Sequence, residues 1–222
     1  AYYVANALSS ENSRQQTHTL VSKWRDMYDQ LYSDEKNKEV DIFDIAGWHS
    51  SYTRLPFSTQ EMEEWRDSTI DRISYLKPRM ILEIGSGTGL LTFPLVKKCE
   101  SYIGADFSSV AVKKLNHGLR SLSIENASIF LARADEIFDV KVVKNTPIDT
   151  IILNSITQYF PSVDYLDKIL MESIEILNSG KIFIGDIRDF RLLDVLHFSI
   201  EIYKIKKASL EVDVSTLQNS IK

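Results

Sequence analysis

Residues 80–106 contain the sequence feature that most restricts how this chain can fold. They read MILEIGSGTGLLTFPLVKKCESYIGAD, with glycines at three alternate positions after a short apolar run. Because glycine has no Cβ, such a backbone can turn tightly and let a ligand approach the main chain. The pattern predicts a strand, a glycine-rich turn and then a helix over residues 90–98 whose amino terminus faces the turn.

A second predicted strand, residues 102–105, ends at Asp106. This acid follows Gly85 by about twenty residues, the spacing at which a carboxylate can accept hydrogen bonds from two ribose hydroxyls. An adenosine-containing ligand is therefore the leading hypothesis. The dinucleotide fingerprint of NAD-dependent oxidoreductases is the alternative, but it needs its third glycine where this chain has Leu90 and does not require an acid such as Glu83.

Length, charge and cysteine content exclude several other classes. A chain of 222 residues can bury a full core and suits one α/β domain with an appendage. A net charge of -5 and the lack of a long basic run argue against a general nucleic-acid binder. No apolar segment approaches the ~20 residues that cross a bilayer, so we expect a cytoplasmic protein. Cys99 is the only cysteine, which excludes internal disulfides and cysteine metal cages, and we expect no metal.

The rest of the chain alternates between helical and strand patterns. Helical spacing over residues 20–32 forms an aromatic stripe typical of a core, and a capping box at Ser58 and Glu61 begins a helix that stops at Pro78. Beyond Asp106 the patterns predict helices over residues 109–122, 161–177 and 191–206 and strands over residues 127–131, 147–153 and 181–185. This alternation predicts a doubly wound parallel α/β sheet with its site along the carboxyl edge.

Polar residues follow the ends of the predicted strands, where a parallel sheet would gather them in one crevice. They are Glu83 with the glycines, Asp106, Asp135, Asn154, Ser155, Asp186 and Arg188. Several acids in one crevice would repel each other unless the donors of a ligand engaged them, which favours a binding site. Residues 43–53 are rich in aromatic and hydroxyl groups without a regular period, which predicts either a lid over the crevice or a packed loop.

Several stretches resemble the methyltransferase domains embedded in nonribosomal peptide synthetases. The glycine loop is generic to methyltransferases, whereas NSITQYFPS at residues 154–162 and GDIRD at residues 185–189 are more particular to this family. Residues 47–53 and 100–108 match as well, and the resemblance covers about residues 21–206. It implies a Rossmann-like class I methyltransferase sheet behind an N-terminal helical cap.

The resemblance also implies S-adenosylmethionine as the cofactor. It places Glu83 near the methionine amino group, Asp106 on the ribose and Asp135 on the adenine amino group. The complete set of cofactor residues that it implies is Glu83, Gly85, Gly87, Gly89, Asp106, Phe107, Ala134, Asp135 and Asn154.

Most members of the family methylate an amino nitrogen, and the implied acceptor is an aminoacyl thioester on the phosphopantetheine arm of a carrier protein. The sulfonium already activates the methyl group, so the enzyme mainly holds the amine in line. An α-amine with a pKa of roughly 7.7–8.0 is partly neutral near pH 7. We expect Asn154 and Tyr159 to orient the amine, Asp186 or Arg188 to shape the acceptor channel, and residues 48–52 to cover it.

Other acceptors stay open as alternatives. Tyr52 offers a second phenol that could close the pocket, and a carbon acceptor would need a base, for which His49 and His197 are the best-placed histidines. Methylation of a side-chain oxygen or sulfur and a non-catalytic scaffold role are further alternatives.

The resemblance suggests a division of the chain into four parts. Residues 1–16 are expected to be a remnant strand and linker from an upstream adenylation domain, and residues 17–78 a helical cap or lid. Residues 79–206 would form the methyltransferase core, and residues 207–222 a connector with at most one short strand, residues 210–214. The final antiparallel hairpin of the class I sheet is therefore expected to be missing, as in a piece of a longer polypeptide.

Overall fold

A computed structural model describes residues 24–32, 41–177 and 179–207 of the 222. Within these ranges five strands form one sheet in the order β3-β2-β1-β4-β5, and all neighbouring pairs are parallel. The strands are β1 (Met80–Ile84), β2 (Ser101–Asp106), β3 (Ala127–Leu131), β4 (Thr150–Asn154) and β5 (Lys181–Gly185). The strand order reverses between β1 and β4, and ligands bind at such reversals in open α/β sheets.

Helices cover both faces of the sheet. Residues 24–32 form helix α1. The others are α2 (Thr59–Tyr75), α3 (Thr92–Leu95), α4 (Ser109–Ser121), α5 (Lys141–Asn145), α6 (Val163–Ile176) and α7 (Leu193–Lys207), with 3-10 turns at Ile137–Asp139, Thr157–Tyr159 and Phe190–Leu192. None of the helices in the described part of the chain is both long and apolar enough to span a bilayer.

Two apolar cores lie on opposite faces of the sheet. One joins Ile81 of β1 to Ile73 of α2 and Leu115 of α4, and the other joins Leu82 of β1 to Ile169 of α6. Consecutive residues of β1 thus enter different cores, which explains why the central strands read as continuous apolar runs. The sequence prediction of a doubly wound parallel sheet is confirmed.

Serine side chains fix the starts of three helices. Ser58 and Glu61 form the predicted capping box of α2, in which Ser58 N–H donates to Glu61 Oε2 at 2.8 Å. Ser108 accepts from the backbone N–H of Ala111 at the start of α4, and Ser162 accepts from that of Tyr165 at the start of α6. Each cap satisfies a backbone donor that has no partner within its own helix.

The helix after the glycine loop is shorter than its apolar pattern predicts. It covers Thr92–Leu95 instead of residues 90–98. The carbonyl oxygens of Val96 and Cys99 accept from the side-chain amide of Asn126, at 2.9 and 3.1 Å, and so do not continue the helix. Helix α5 and the 3-10 turns were not predicted. The predictions for residues 1–16 and 210–214 lie outside the described residues.

Candidate active site

A cavity of about 790 Å³ opens at the carboxyl edge of β1, β2 and β4. Its floor is the loop of residues 85–88, and its walls include residues 106–107, 132–134, 154–161 and 186–188. Side chains of α1 and residues 46–49 form its roof. This volume lies within the range of about 300–1,000 Å³ that is typical of small-molecule sites.

The glycine loop brings the main chain against the cavity. Gly85 has a φ of +83°, and a Cβ there would lie 2.3 Å from Ile156 Cγ2, so no larger residue fits without a shift. Gly85 and Gly87 line the cavity. Gly89, a predicted cofactor residue, does not line it but packs below, where a Cβ would lie 2.4 Å from Leu115 Cδ2.

Asp106 is held in place by the backbone around it. Its side chain is buried, Oδ2 accepts from Gly87 N–H and Oδ1 from Ser108 N–H, both at 2.8 Å. Burial raises the pKa of Asp106 to about 6, the two backbone donors oppose this rise, and the nearby charge of Asp29 adds to it. A carboxylate offers about four lone-pair sites, so Asp106 can still accept from ligand hydroxyls.

Glu83 lines the cavity from the end of β1 and is almost fully buried. Its Oε2 atom accepts from Tyr102 Oη at 2.5 Å and from Thr92 Oγ1 at 2.7 Å. Burial raises the pKa of Glu83, and these two hydroxyl groups oppose the rise. The acid that begins the glycine motif is therefore fixed by neighbouring elements.

Asp135 lies beside the cavity without lining it, whereas the predicted residue Ala134 does line it. The Asp135 carboxylate accepts from the Arg133 guanidinium at 2.6 and 2.9 Å and from Tyr165 Oη at 2.8 Å. Burial raises the pKa of Asp135, but these hydrogen bonds and the Arg133 charge outweigh it and hold the pKa below its usual value. An adenine-binding role for Asp135 stays a prediction.

The ends of β4 and β5 carry a chain of polar groups. The buried Asn154 side-chain amide donates to Ser155 Oγ at 3.1 Å, and that hydroxyl donates to Asp186 Oδ2 at 2.7 Å. Ser155 and Asp186 both have a φ of +58°. Two non-glycine residues in this conformation at adjacent strand ends mark a strained site, and such strain clusters at functional sites.

Aromatic rings of α1 close the cavity from above. The Tyr28 ring lies 5.7 Å from Tyr159 and 6.0 Å from Phe107, and the Trp24 ring lies 5.0 Å from Tyr159. The Tyr32 hydroxyl lies above Gly87, 3.6 Å from where a Cβ would stand. The aromatic stripe of this helix thus covers a cavity, where the sequence pattern predicted core packing.

Residues 43–53 cover part of the cavity as an irregular loop. Trp48 packs against Trp65 with ring centroids 4.3 Å apart, and Thr88 Oγ1 donates to the Asp44 carbonyl at 2.6 Å. His49 lines the cavity with an exposed side chain. Tyr52 points elsewhere, since its hydroxyl hydrogen-bonds Ser199 at 2.8 Å and it does not line the cavity.

The structure thus brings most of the predicted site residues together. Those that line the cavity are His49, Glu83, Gly85, Gly87, Asp106, Phe107, Ala134, Asn154, Tyr159, Asp186 and Arg188. Tyr52, Gly89, Asp135 and His197 do not line it. Sequence reasoning did not include Trp24, Tyr28, Tyr32, Arg133 and Tyr165 in the site, although all five line the cavity. The aromatic spacing of α1 was the available signal for three of them.

Comparison with solved structures supports the fold. The chain is similar to the N-methyltransferase NodS from Bradyrhizobium japonicum WM9, with a TM-score of 0.52 and 13% identity over 89% of this chain and 83% of that one. It is similar to phosphoethanolamine N-methyltransferase 1 of Haemonchus contortus, with a TM-score of 0.51 and 19% identity over 82% of this chain and 34% of that one. The fold is therefore that of class I methyltransferases.

Sequence comparison identifies the family. A family model described as a methyltransferase domain matches residues 77–216. The chain is 34% identical over 198 residues to a probable non-canonical nonribosomal peptide synthetase, CymA, of Salinispora arenicola, and 35% identical over 186 residues to chondramide synthase cmdD of Chondromyces crocatus. These matches cover 89% and 83% of this chain but 2% and 5% of those proteins. The chain belongs to the methyltransferase domain family and is an S-adenosylmethionine-dependent methyltransferase domain.

Proposed function

We propose that this domain transfers a methyl group from S-adenosylmethionine to the α-amine of an aminoacyl thioester. The thioester would be carried on the phosphopantetheine arm of a carrier protein, within a cytoplasmic nonribosomal peptide synthetase that also contains an adenylation domain. The relatives support this context, since CymA of Salinispora arenicola is described as a probable nonribosomal peptide synthetase.

The cofactor half of the cavity suits an adenosine that carries an amino acid. In the proposal Asp106 accepts from the ribose hydroxyls, residues 107 and 134 border the adenine, and Glu83 faces the ammonium group. When bound, the cofactor supplies an electrophilic methyl group on a sulfonium centre. The rings of Tyr28 and Tyr159 lie above this half, where they would stabilise a positive charge.

The polar chain of Asn154, Ser155 and Asp186 is the observation that carries the choice of an amine. It offers hydrogen-bond acceptors at the wall of the cavity, and Asp186 is exposed, so it can attract an ammonium group from solvent. About a tenth of an α-amine is neutral near pH 7, so a hydrogen bond that aims its lone pair is sufficient. In the proposed transfer the amine lone pair would form the nitrogen–carbon bond as the sulfur–carbon bond breaks. The thioether, S-adenosylhomocysteine, would leave with the electron pair of the broken bond, and the methylated ammonium group would lose one proton to water.

A carbon acceptor is less well matched to this cavity. It requires a base held within hydrogen-bond reach of the reacting C–H. Among the described residues that line the cavity, His49 is the one histidine, and its side chain is exposed. The residues that line the cavity therefore suit an acceptor that is already nucleophilic, such as an amine, better than a carbon acceptor that must first lose a proton.

Methyl transfer to a panel of aminoacyl thioesters of N-acetylcysteamine tests the proposal. Each amino acid would be supplied with a free α-amine and with an acetylated one, and serine and cysteine would be included for their side chains. We expect mass spectrometry to locate the methyl group on the α-nitrogen and to find no product from the acetylated compounds. Methylation of acetylated serine or cysteine on the side chain would overturn the choice of acceptor.

A further inference from the structure

Three buried polar side chains meet beneath the glycine loop. Glu83 ends β1, Tyr102 lies in β2 and Thr92 begins α3, and their exposed fractions are 3%, 1% and 0%. Gly104 of β2 opens space beside them, since a Cβ there would lie 2.6 Å from Ser86 Oγ. A buried polar cluster of this kind is costly unless its members satisfy each other or a ligand.

The hydrogen bonds of this cluster are asymmetric. Both hydroxyl groups, from Tyr102 and Thr92, donate to the same oxygen of Glu83, Oε2, and neither donates to Oε1. Glu83 borders the cavity. The buried Ser86 hydroxyl is close enough to lower the pKa of Glu83, yet it forms no hydrogen bond of good geometry with any residue in the described ranges. Donors from the fold thus engage one side of the carboxylate.

We propose that Tyr102 and Thr92 are positioning residues for the cofactor, because they hold Glu83 by Oε2 and so present Oε1 to the ammonium group of S-adenosylmethionine. The Ser86 hydroxyl completes this subsite from the loop. The inference rests on the cofactor of the proposed function and is independent of its acceptor.

The charges in the cluster agree with a cationic ligand. Burial raises the pKa of Glu83, so its surroundings in the fold disfavour the ionised form. An ammonium group at Oε1 would favour the ionised form again, and a carboxylate with fixed donors on its other oxygen needs no rearrangement to accept it. Tyr102 and Thr92 themselves act through Glu83 and do not need to touch the ligand.

Two ligands that differ only in the amino acid portion separate positioning from general stability. S-adenosylhomocysteine carries the ammonium group and its carboxylate, whereas 5′-methylthioadenosine has the same adenosine and thioether sulfur without either. We expect Tyr102→Phe to weaken S-adenosylhomocysteine binding roughly tenfold by calorimetry, the effect of losing a hydrogen bond to a charged group. Binding of 5′-methylthioadenosine should change by less than about twofold. Thr92→Val should act in the same direction, and Thr92→Ser should restore affinity.

Thr150→Val is the matched control. Thr150 is 1% exposed, and its hydroxyl donates to the Asp149 carboxylate at 2.8 Å. It begins β4 and so lies at the amino-terminal edge of the sheet, whereas the glycine loop lies at the carboxyl edge. We expect this variant to bind both ligands as the wild type does.

Three results would overturn the inference: equal weakening of both ligands by the folded Tyr102 and Thr92 variants, no weakening of either, or a wild type that binds the two ligands equally. Failure of the wild type to bind either ligand would instead contradict the cofactor assignment itself.

Discussion

The two sides of the cavity are built differently. On the side proposed for the cofactor, the carboxylates of Glu83 and Asp106 are at most 5% exposed, and each already accepts two hydrogen bonds from the fold. On the side proposed for the acceptor, His49, Asp186 and Arg188 are exposed. The buried member of that side, Asn154, is linked through Ser155 to the exposed carboxylate of Asp186.

This difference in burial suggests that cofactor binding is held constant by the fold, whereas the choice of acceptor can change. The cofactor side is held by core packing, because the groups that position Glu83 and the loop are also part of the sheet and its helices. Electrostatic groups that are preorganised in this way need little rearrangement on binding. The acceptor side lies on strand ends and loops, where substitutions alter a site without disturbing the scaffold. We therefore expect substitutions on the first side to affect stability and cofactor binding, and those on the second to affect turnover.

The largest effect is expected from the glycine loop. Gly85→Ala combines a positive φ with a Cβ 2.3 Å from Ile156 Cγ2, which should cost about 3 kcal/mol or more of stability. Gly87→Ala is the control, because its φ is +52° and, among the described residues, a Cβ there would meet only Tyr32 Oη, at 3.6 Å. It should cost about 1–2 kcal/mol. Urea unfolding of both variants measures these losses of unfolding free energy. Equal losses in the two variants would show that Ile156 can move away from the added Cβ.

Asp106 should make the stability of the ligand-free domain depend on pH. Its pKa is about 6 in the fold and 3.8 otherwise, so between these values the folded state keeps a proton that the unfolded state has lost. Its contribution is complete below about pH 4 and is lost as the pH rises through about 6, a change of about 3 kcal/mol. The difference in unfolding free energy between wild type and Asp106→Asn should fall by that amount as the pH rises, and a constant difference would contradict the raised pKa of this buried carboxylate.

Cofactor binding should show the opposite pH dependence. In the proposed function the ribose hydroxyls donate to the ionised form of Asp106, so binding should release a proton in this range. We expect the affinity for S-adenosylhomocysteine to rise between pH 5 and pH 7, with proton release measured by calorimetry in buffers of different ionisation enthalpy. Asp106→Asn should reduce the dependence, and the part that remains would come from Glu83, whose pKa burial also raises. A pH-independent affinity of the wild type would place the ribose elsewhere.

A smaller effect is expected where α1 meets the core. Asp29 of α1 accepts from the Ser108 hydroxyl, and its charge contributes to the raised pKa of Asp106. Asp29→Ala should weaken S-adenosylhomocysteine about two- to fivefold, the loss of one part-buried hydrogen bond. It should also move the pH dependence of stability to lower pH. An unchanged affinity would mean that α1 does not need this contact to cover the cavity.

The smallest effect is expected for Tyr52→Phe. Its hydroxyl bonds to Ser199 on α7 and does not line the cavity, so turnover and cofactor affinity should each change by less than about twofold. A steady-state comparison with the wild type is sufficient. A large fall in turnover would restore the role in pocket closure that the sequence suggested.

Sequence patterns were most informative where a short segment determines its own geometry. The glycines specify a tight turn, and Asp106 lies at the end of the next strand. A βαβ unit brings these two positions together at the same edge of the sheet, so the sequence predicts that they lie close to each other. The capping box of α2 and the bounds of β3 and β5 were likewise predicted, since local hydrogen bonds and apolar runs determine them.

The features of the site that the sequence did not predict depend on which segments of the chain pack against each other. An aromatic stripe shows that one face of α1 is buried, but it does not tell whether that face packs on a core or covers a cavity. The same limit explains why Tyr28 and Tyr32 were missed and why Tyr52 was expected in the pocket. The pairing of Asp135 with Arg133 and Tyr165 also joins segments whose approach no periodicity reveals.

The separation of the two sides is tested most directly by one pair of variants, Asn154→Ala and Asp106→Ala. The affinity for S-adenosylhomocysteine and the rate of methyl transfer at saturating cofactor would be measured for both. We predict that Asn154→Ala lowers the rate by roughly tenfold or more with an affinity within about twofold of the wild type. Asp106→Ala should weaken binding by a similar factor and largely retain the rate at saturation. Loss of cofactor binding in Asn154→Ala, with its rate preserved when the cofactor is saturating, would contradict the account.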